Sequence, residues 1–202
     1  MGCSTSVNVT PNRSRKGQKA VHPEPVASFH DEHIVVDRLG KGAFATVYSA
    51  FRTSDNADLA VKVSDLRDKK NSKQICPRAT RVVEREVQAM KLVAQQEHCV
   101  GFVDVYVEGF LSYIVMDMCE QTLLEHILLI PRLNENSYAG IFKQMLKALA
   151  GIHEMGIVHC DVNPDNFLVH EGVVKLADFG LARSLRPGDK GFTDIYGTAP
   201  FM

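Results

Sequence analysis

Short β-prone runs fill the first half of the chain and longer helical periodicities the second. Ile34 to Leu39, Val47 to Phe51 and Leu59 to Val63 suit strands, the first two divided by Gly40-Lys41-Gly42-Ala43-Phe44-Ala45-Thr46. Val83, Val87, Met90 and Ala94 recur at steps of four, three and four, which predicts an amphipathic helix over Arg78 to Gln95. Gly101 to Val107 and Leu111 to Met116 flank Glu108-Gly109 and predict a hairpin. Leu123 to Ile130 is a short apolar segment stopped by Pro131. Asn134 to Met155 is a stronger helix, with Asn134 as its cap, Ile141, Met145, Leu149 and Ile152 on one face, and Gly156 at its end. Phe167-Leu168-Val169 and Val173 to Leu176 then flank a Glu171-Gly172 turn. This order predicts an α+β chain of two lobes: a sheet with one helix over residues 31–118, and a mainly helical part over residues 119–202.

Residues 1–30 carry no such period, and Pro23 and Pro25 mark an extended linker, so this stretch is expected to be a disordered basic tail. The remainder has ordinary globular composition: of 202 residues, 45% are hydrophobic and 23% charged. A formal net charge of -1 supplies no overall basic field, so no nucleic-acid partner is expected. Cys3, Cys76, Cys99, Cys119 and Cys160 are scattered without a Cys-x-x-Cys pair, which argues against a disulfide framework or zinc site and for a reducing compartment. No apolar run is long enough to span a membrane, and the N-terminus lacks a secretory signal.

The tail has chemistry of its own. After removal of Met1 it begins Gly2-Cys3-Ser4-Thr5-Ser6, an acceptor pattern for myristate on Gly2, with Cys3 beside it for palmitate. One myristoyl chain holds a membrane only marginally, with a binding constant on the order of 10⁴ per molar. Arg13, Arg15, Lys16 and Lys19 could each add about 1 kcal/mol near an anionic leaflet. The expected location is therefore the cytoplasmic face of a membrane, or the cytoplasm.

Three further stretches carry candidate chemistry. The glycines at Gly40 and Gly42 allow backbone N–H groups to approach phosphates, and the β-prone segment that follows them is not the helix of a dinucleotide fold. Lys62 lies in the strand Leu59-Ala60-Val61-Lys62-Val63, and Glu86, on the edge of the buried helix stripe, is preferred over Glu84 as its partner. In Ile157 to Asn166, reading IVHCDVNPDN, Asp161 could take a proton, Asn166 could hold a metal ion, and Pro164 stiffens the loop between them. Asp178, in Asp178-Phe179-Gly180, closes the hairpin that begins beside Asn166.

Taken in order, G-x-G, A-V-K, a helix Glu, H-x-D, Asn, D-F-G and G-T-A-P make the chain resemble a eukaryotic protein kinase of the Ser/Thr type from about residue 33 onward. Within that family Arg85-Glu86-Val87-Gln88, Asn166-Phe167-Leu168 and Gly197-Thr198-Ala199 are similar to the calcium/calmodulin-dependent and calcium-dependent group. The resemblance implies a two-lobed fold, ATP and Mg2+ as cofactors, and a protein substrate. It implies that Lys62, held by Glu86, contacts the nucleotide phosphates; that Asp161 deprotonates the acceptor hydroxyl; and that Asn166 and Asp178 hold magnesium. Leu39, Val47, Ala60, Met116 and Leu168 are implied to enclose adenine, with backbone groups of Asp117 and Cys119 at its edge. Thr198 matches the Thr that packs near the catalytic Asp.

Four features depart from the family pattern. Ala45 replaces the third glycine, a change between small residues. Cys160 removes the Arg that often pairs with activation-segment phosphate, while Asp194 provides a fixed charge near Thr193 and Tyr196. Asn163 replaces the Lys that faces the transferring phosphoryl group, and losing one such preorganised group costs roughly 2.7 to 4 kcal/mol. A slow kinase, or alternatively a nucleotide-binding scaffold without transfer, is the expected consequence. The chain stops where the family's A-P-E segment should follow, so an incomplete second lobe is expected, with Ile141, Met145 and Leu149 short of partners.

Overall fold

The computed structural model describes residues 28–42, 45–132, 134–185, 188, 191, 197 and 198. Helix α1 (Phe29–Glu32) leads into strands β1 (His33–Lys41), β2 (Ala45–Arg52) and β3 (Asp58–Asp65). Helix α2 (Pro77–Val93) precedes β4 (Phe102–Glu108) and β5 (Leu111–Asp117). The strands form one antiparallel sheet in the order β1-β2-β3-β5-β4. Alternation along β3 and β5 sends Ala60, Ile114 and Met116 to one face, where they meet Val83, Val87 and Met90 of α2. Val61, Tyr113 and Val115 point to the other face.

That second face takes up residues ahead of the first strand. Phe29 is fully buried, stacked on Tyr113 at 4.4 Å between ring centroids and on His33 at 5.0 Å. Glu108 accepts from Ser28 Oγ at 2.7 Å and from the Phe29 N–H. The folded lobe therefore includes Ser28 and Phe29, because one aromatic residue outside the strand pattern covers the sheet. The first hairpin also runs further into the glycine stretch than expected: Gly40 pairs with Val47, Lys41 with Thr46, and the Gly42 N–H donates to Ala45 O at 2.9 Å.

The second lobe opens with β6 (Gln121–Thr122) and α3 (Leu123–Leu129), so the short apolar segment is a helix. Its Thr122 hydroxyl accepts from the Glu125 N–H at 3.2 Å, and the Glu125 carboxylate accepts from the Thr122 N–H at 2.8 Å. Helix α4 (Glu135–Glu154) starts where Asn134 Oδ1 accepts from the Ser137 N–H at 3.0 Å. Ile141, Ala148 and Ile152 are buried, with Met145 and Leu149 packed against the same core. The apolar surface left open is instead a flank of α4, where Phe142 is 57% and Leu146 64% exposed. Ile141, Met145 and Leu149 thus have partners, since they face the sheet side of the lobe rather than its outside.

Strand β7 (Ile157–Val158) pairs with β10 (Arg183–Ser184), and β8 (Phe167–His170) lies between β6 and β9 (Val173–Leu176). Gly156, at φ +70°, turns the chain out of α4; a Cβ there would lie 2.9 Å from Leu185 O. The two pairings bracket residues 159–182 and hold both catalytic-type loops at one place. Val93 and Val100 of the first lobe share a single cluster with Ile152, Phe167, Leu176 and Phe179 of the second. Among the described residues no helix is long and apolar enough to cross a membrane.

Candidate functional site

Lys62 reaches from β3 to two carboxylates. Its Nζ lies 2.5 Å from Glu86 Oε1 on α2 and 2.8 Å from Asp178 Oδ1, with side-chain exposures of 12% for Lys62 and 4% for Glu86. Glu86 faces inward and Glu84 outward because they sit on different sides of the helix stripe. Burial works against the Lys62 charge, but the Glu86 and Asp178 carboxylates outweigh it and hold its pKa above the ordinary value. Burial pushes Glu86 up, with Lys62 pulling it back. Asp178 is also desolvated, yet the charge and hydrogen bond of Lys62 hold it below the usual carboxylate range. Asp178 adopts a left-handed backbone, φ 57° and ψ 74°, and its carboxylate accepts from the Gly180 N–H at 3.2 Å.

The loop after β7 supplies the second group. Asp161 Oδ1 accepts from Thr198 Oγ at 2.6 Å, and Asp161 Oδ2 from Asn166 Nδ2 at 3.1 Å. Asn166 Nδ2 also donates to Asp161 O at 2.8 Å, which fixes the loop across its 3-10 turn (Pro164–Asn166). With the amide nitrogen so engaged, no described residue donates to Asn166 Oδ1 or Asp178 Oδ2, and these oxygens suit a hard cation. Among the described residues no cluster of three or more His, Cys, Asp or Glu could hold a metal ion. An Asn and an Asp completed by phosphate oxygens and water fit magnesium, which is commonly bound by one or two protein carboxylates plus substrate phosphates.

His159, which the sequence pattern passed over, ties the two loops together. Its ring is buried, Nε2 is 2.9 Å from Ala177 O, and its edge meets Phe179 at 5.1 Å between centroids. Its place two before Asp161 in H-x-D was the available signal. Burial holds its pKa below the ordinary value.

Asn163 is bonded within the loop. The side chain is only 6% exposed; Oδ1 accepts from the Asp165 N–H at 3.0 Å and Nδ2 donates to Asp161 O at 3.2 Å. It braces the loop, because a short amide finds backbone partners where a Lys stem would extend past them. Cys160 occupies a left-handed backbone at φ 63°, with Sγ 3.5 Å from Val158 O. Burial pushes its thiol pKa up.

The expected adenine-enclosing residues lie along one seam. Ala60 pairs with Met116, Val47 pairs with Lys62, and Val47, Cys119 and Leu168 pack against the core that contains Ala60 and Met116. Leu39 lies at the glycine end of β1, 50% exposed, outside that core. The Asp117 N–H already donates to Gly101 O at 3.0 Å. Cys119 is half-buried, its thiol pushed up to about 11 by desolvation. Gly2, Cys3, Thr193 and Asp194 lie outside the described residues.

Residues 33–202 match the family model of the protein kinase domain. The chain belongs to the protein kinase family. Similar kinases include sperm motility kinase 3A of Mus musculus, 30% identical over 196 residues, which cover 95% of this chain and 37% of the relative. Calcium-dependent protein kinase 24 of Oryza sativa subsp. japonica is 28% identical over 188 residues, 91% of this chain and 36% of the relative. The Wee1-like protein kinase of Arabidopsis thaliana is 31% identical over 182 residues, 88% of this chain and 33% of the relative. This kinase chain thus spans about a third of the length of these curated relatives.

Proposed function

We propose that this kinase domain transfers the terminal phosphoryl group of ATP to Ser or Thr hydroxyls of protein substrates. The observation that carries this reading is the convergence of Lys62, Glu86 and Asp178 from three separate elements, beside an Asp161 held by Asn166 and Thr198. Lys62 would bind phosphate oxygens, with Glu86 preventing it from swinging away. Asn166 Oδ1 and Asp178 Oδ2 would hold magnesium, which when bound neutralises phosphate charge. Asp161 would orient the acceptor hydroxyl and take its proton as the new P–O bond forms and the bond from the terminal phosphorus to the departing ADP breaks. Transfer of labelled phosphate from Mg-ATP to a protein substrate, abolished by Asp161→Ala, is the expected result; a variant as active as the parent would overturn the assignment.

The scaffold alternative is supported by Asn163, whose side chain is committed to the loop and leaves no charge at that position. ATP binding without transfer would favour it. We further propose that the tail is acylated at Gly2, with Cys3 as a second acceptor, placing the kinase at the cytoplasmic face of a membrane. Gly2→Ala should move the protein to the soluble fraction, and an unchanged distribution would end this reading.

A further inference from the structure

We infer that the glycine-loop end of the first lobe is itself a contact surface for an anionic lipid bilayer. The inference extends the membrane location proposed above, but it does not require the acyl chain. Asp65 at the end of β3 pairs with Leu111, and Leu111 pairs with Glu108. The Leu66 N–H donates to Phe110 O at 2.8 Å, and the Cys76 N–H to Leu66 O at 2.7 Å. These contacts gather the β4–β5 turn, the loop 66–76 and the start of α2 at one end of the sheet.

Lys69, Lys70, Lys73 and Arg78 are exposed there, and none forms an ion pair among the described residues. The neighbouring acids already have partners at this end. Asp65 is paired with Arg67 at 2.5 Å, Asp68 accepts from the N–H groups of Lys70 and Asn71, and Glu108 holds Ser28 and Phe29. Ile75, 44% exposed, and Phe110, 37% exposed, lie at the same end. Cations interleaved with apolar side chains suit a bilayer interface, where charges meet headgroups and apolar groups enter the acyl boundary.

The bilayer is favoured over an acidic protein by where the tail joins. Ser28 is bonded to Glu108 at this same end, so the segment of the sequence that carries Gly2, Arg13, Arg15, Lys16 and Lys19 joins the folded lobe here. Two weak basic elements on one tether reinforce each other through effective concentration.

The test uses the 202-residue chain made without an acyl donor, sedimented with vesicles of phosphatidylcholine alone or with phosphatidylserine added. The bare chain should bind only the phosphatidylserine vesicles, and less as salt rises. Lys69→Glu, Lys70→Glu and Lys73→Glu together should lower partitioning roughly tenfold or more. The milder Lys→Gln set at the same positions decides the matter if the reversed charges impair folding. Absence of binding to phosphatidylserine, or equal binding by parent and loop variants, overturns the inference. So does binding abolished by neutralising the tail cations but untouched by the loop variants. Because Gly2 is bare in every sample, failure of the acylation reading leaves this result standing.

Discussion

Asn163 Nδ2 donates to the backbone carbonyl of Asp161 at 3.2 Å, two residues away within the same loop. With its Oδ1 on the Asp165 N–H, the side chain holds both ends of the turn that carries the proposed base. Asn163→Ala should therefore lower stability by about 1 kcal/mol, the usual cost of losing a cap of this kind. A lowered melting temperature checks this; an unchanged melting temperature with reduced transfer would mean that Asn163 acts on phosphate instead.

Phe29 lies outside every strand, yet it is fully buried between Tyr113 and His33. Phe29→Ala should destabilise the domain by roughly 3 to 5 kcal/mol, as for other buried aromatic truncations. Denaturant unfolding measures it, and a loss below about 1 kcal/mol would show that α1 is a loosely held appendage.

Thr198 and Asp161 are 37 positions apart in sequence and 2.6 Å apart in space. Thr198→Val keeps the shape and removes the donor to a carboxylate. Transfer should slow by about tenfold to a hundredfold, the range for a hydrogen bond to a charged group. Melting of the variant within a degree or two of the parent would separate positioning from folding, and a normal rate would remove Thr198 from the site.

His159 should make stability depend on pH. Its folded pKa is depressed from the ordinary 6.5, so between that value and the folded one the unfolded chain binds more protons. The contribution is complete above pH 6.5 and is lost as pH falls through the folded pKa. Melting temperature should drop on acidification from neutral pH, and His159→Gln should flatten that slope while lowering stability throughout. Identical slopes in parent and variant would contradict the assignment.

Much of the site was legible in the chain itself. The helix stripe through Val83, Val87 and Met90 placed Glu86 on the inner edge, and hairpin periodicity set Asp178 beyond the strand that follows Asn166. Such features depend on neighbours within a turn or a strand pair, and local spacing encodes them. The ordered set from Gly40-x-Gly42 through Lys62, Glu86, Asp161, Asn166 and Asp178 to Gly197-Thr198-Ala199-Pro200 suggested the family.

Tertiary structure decided what depends on groups far apart in sequence. It turned Asp178 into the left-handed region and toward Lys62, buried Phe29 against Tyr113, and set β5 rather than β4 beside β3. It also showed which side of α4 meets the core, since Ile141 and Phe142 differ only in direction around the helix. Asn163 marks the limit most clearly. Residue type and position announced a missing charge, but only the geometry of the surrounding backbone could say that its amide is turned inward to brace the loop.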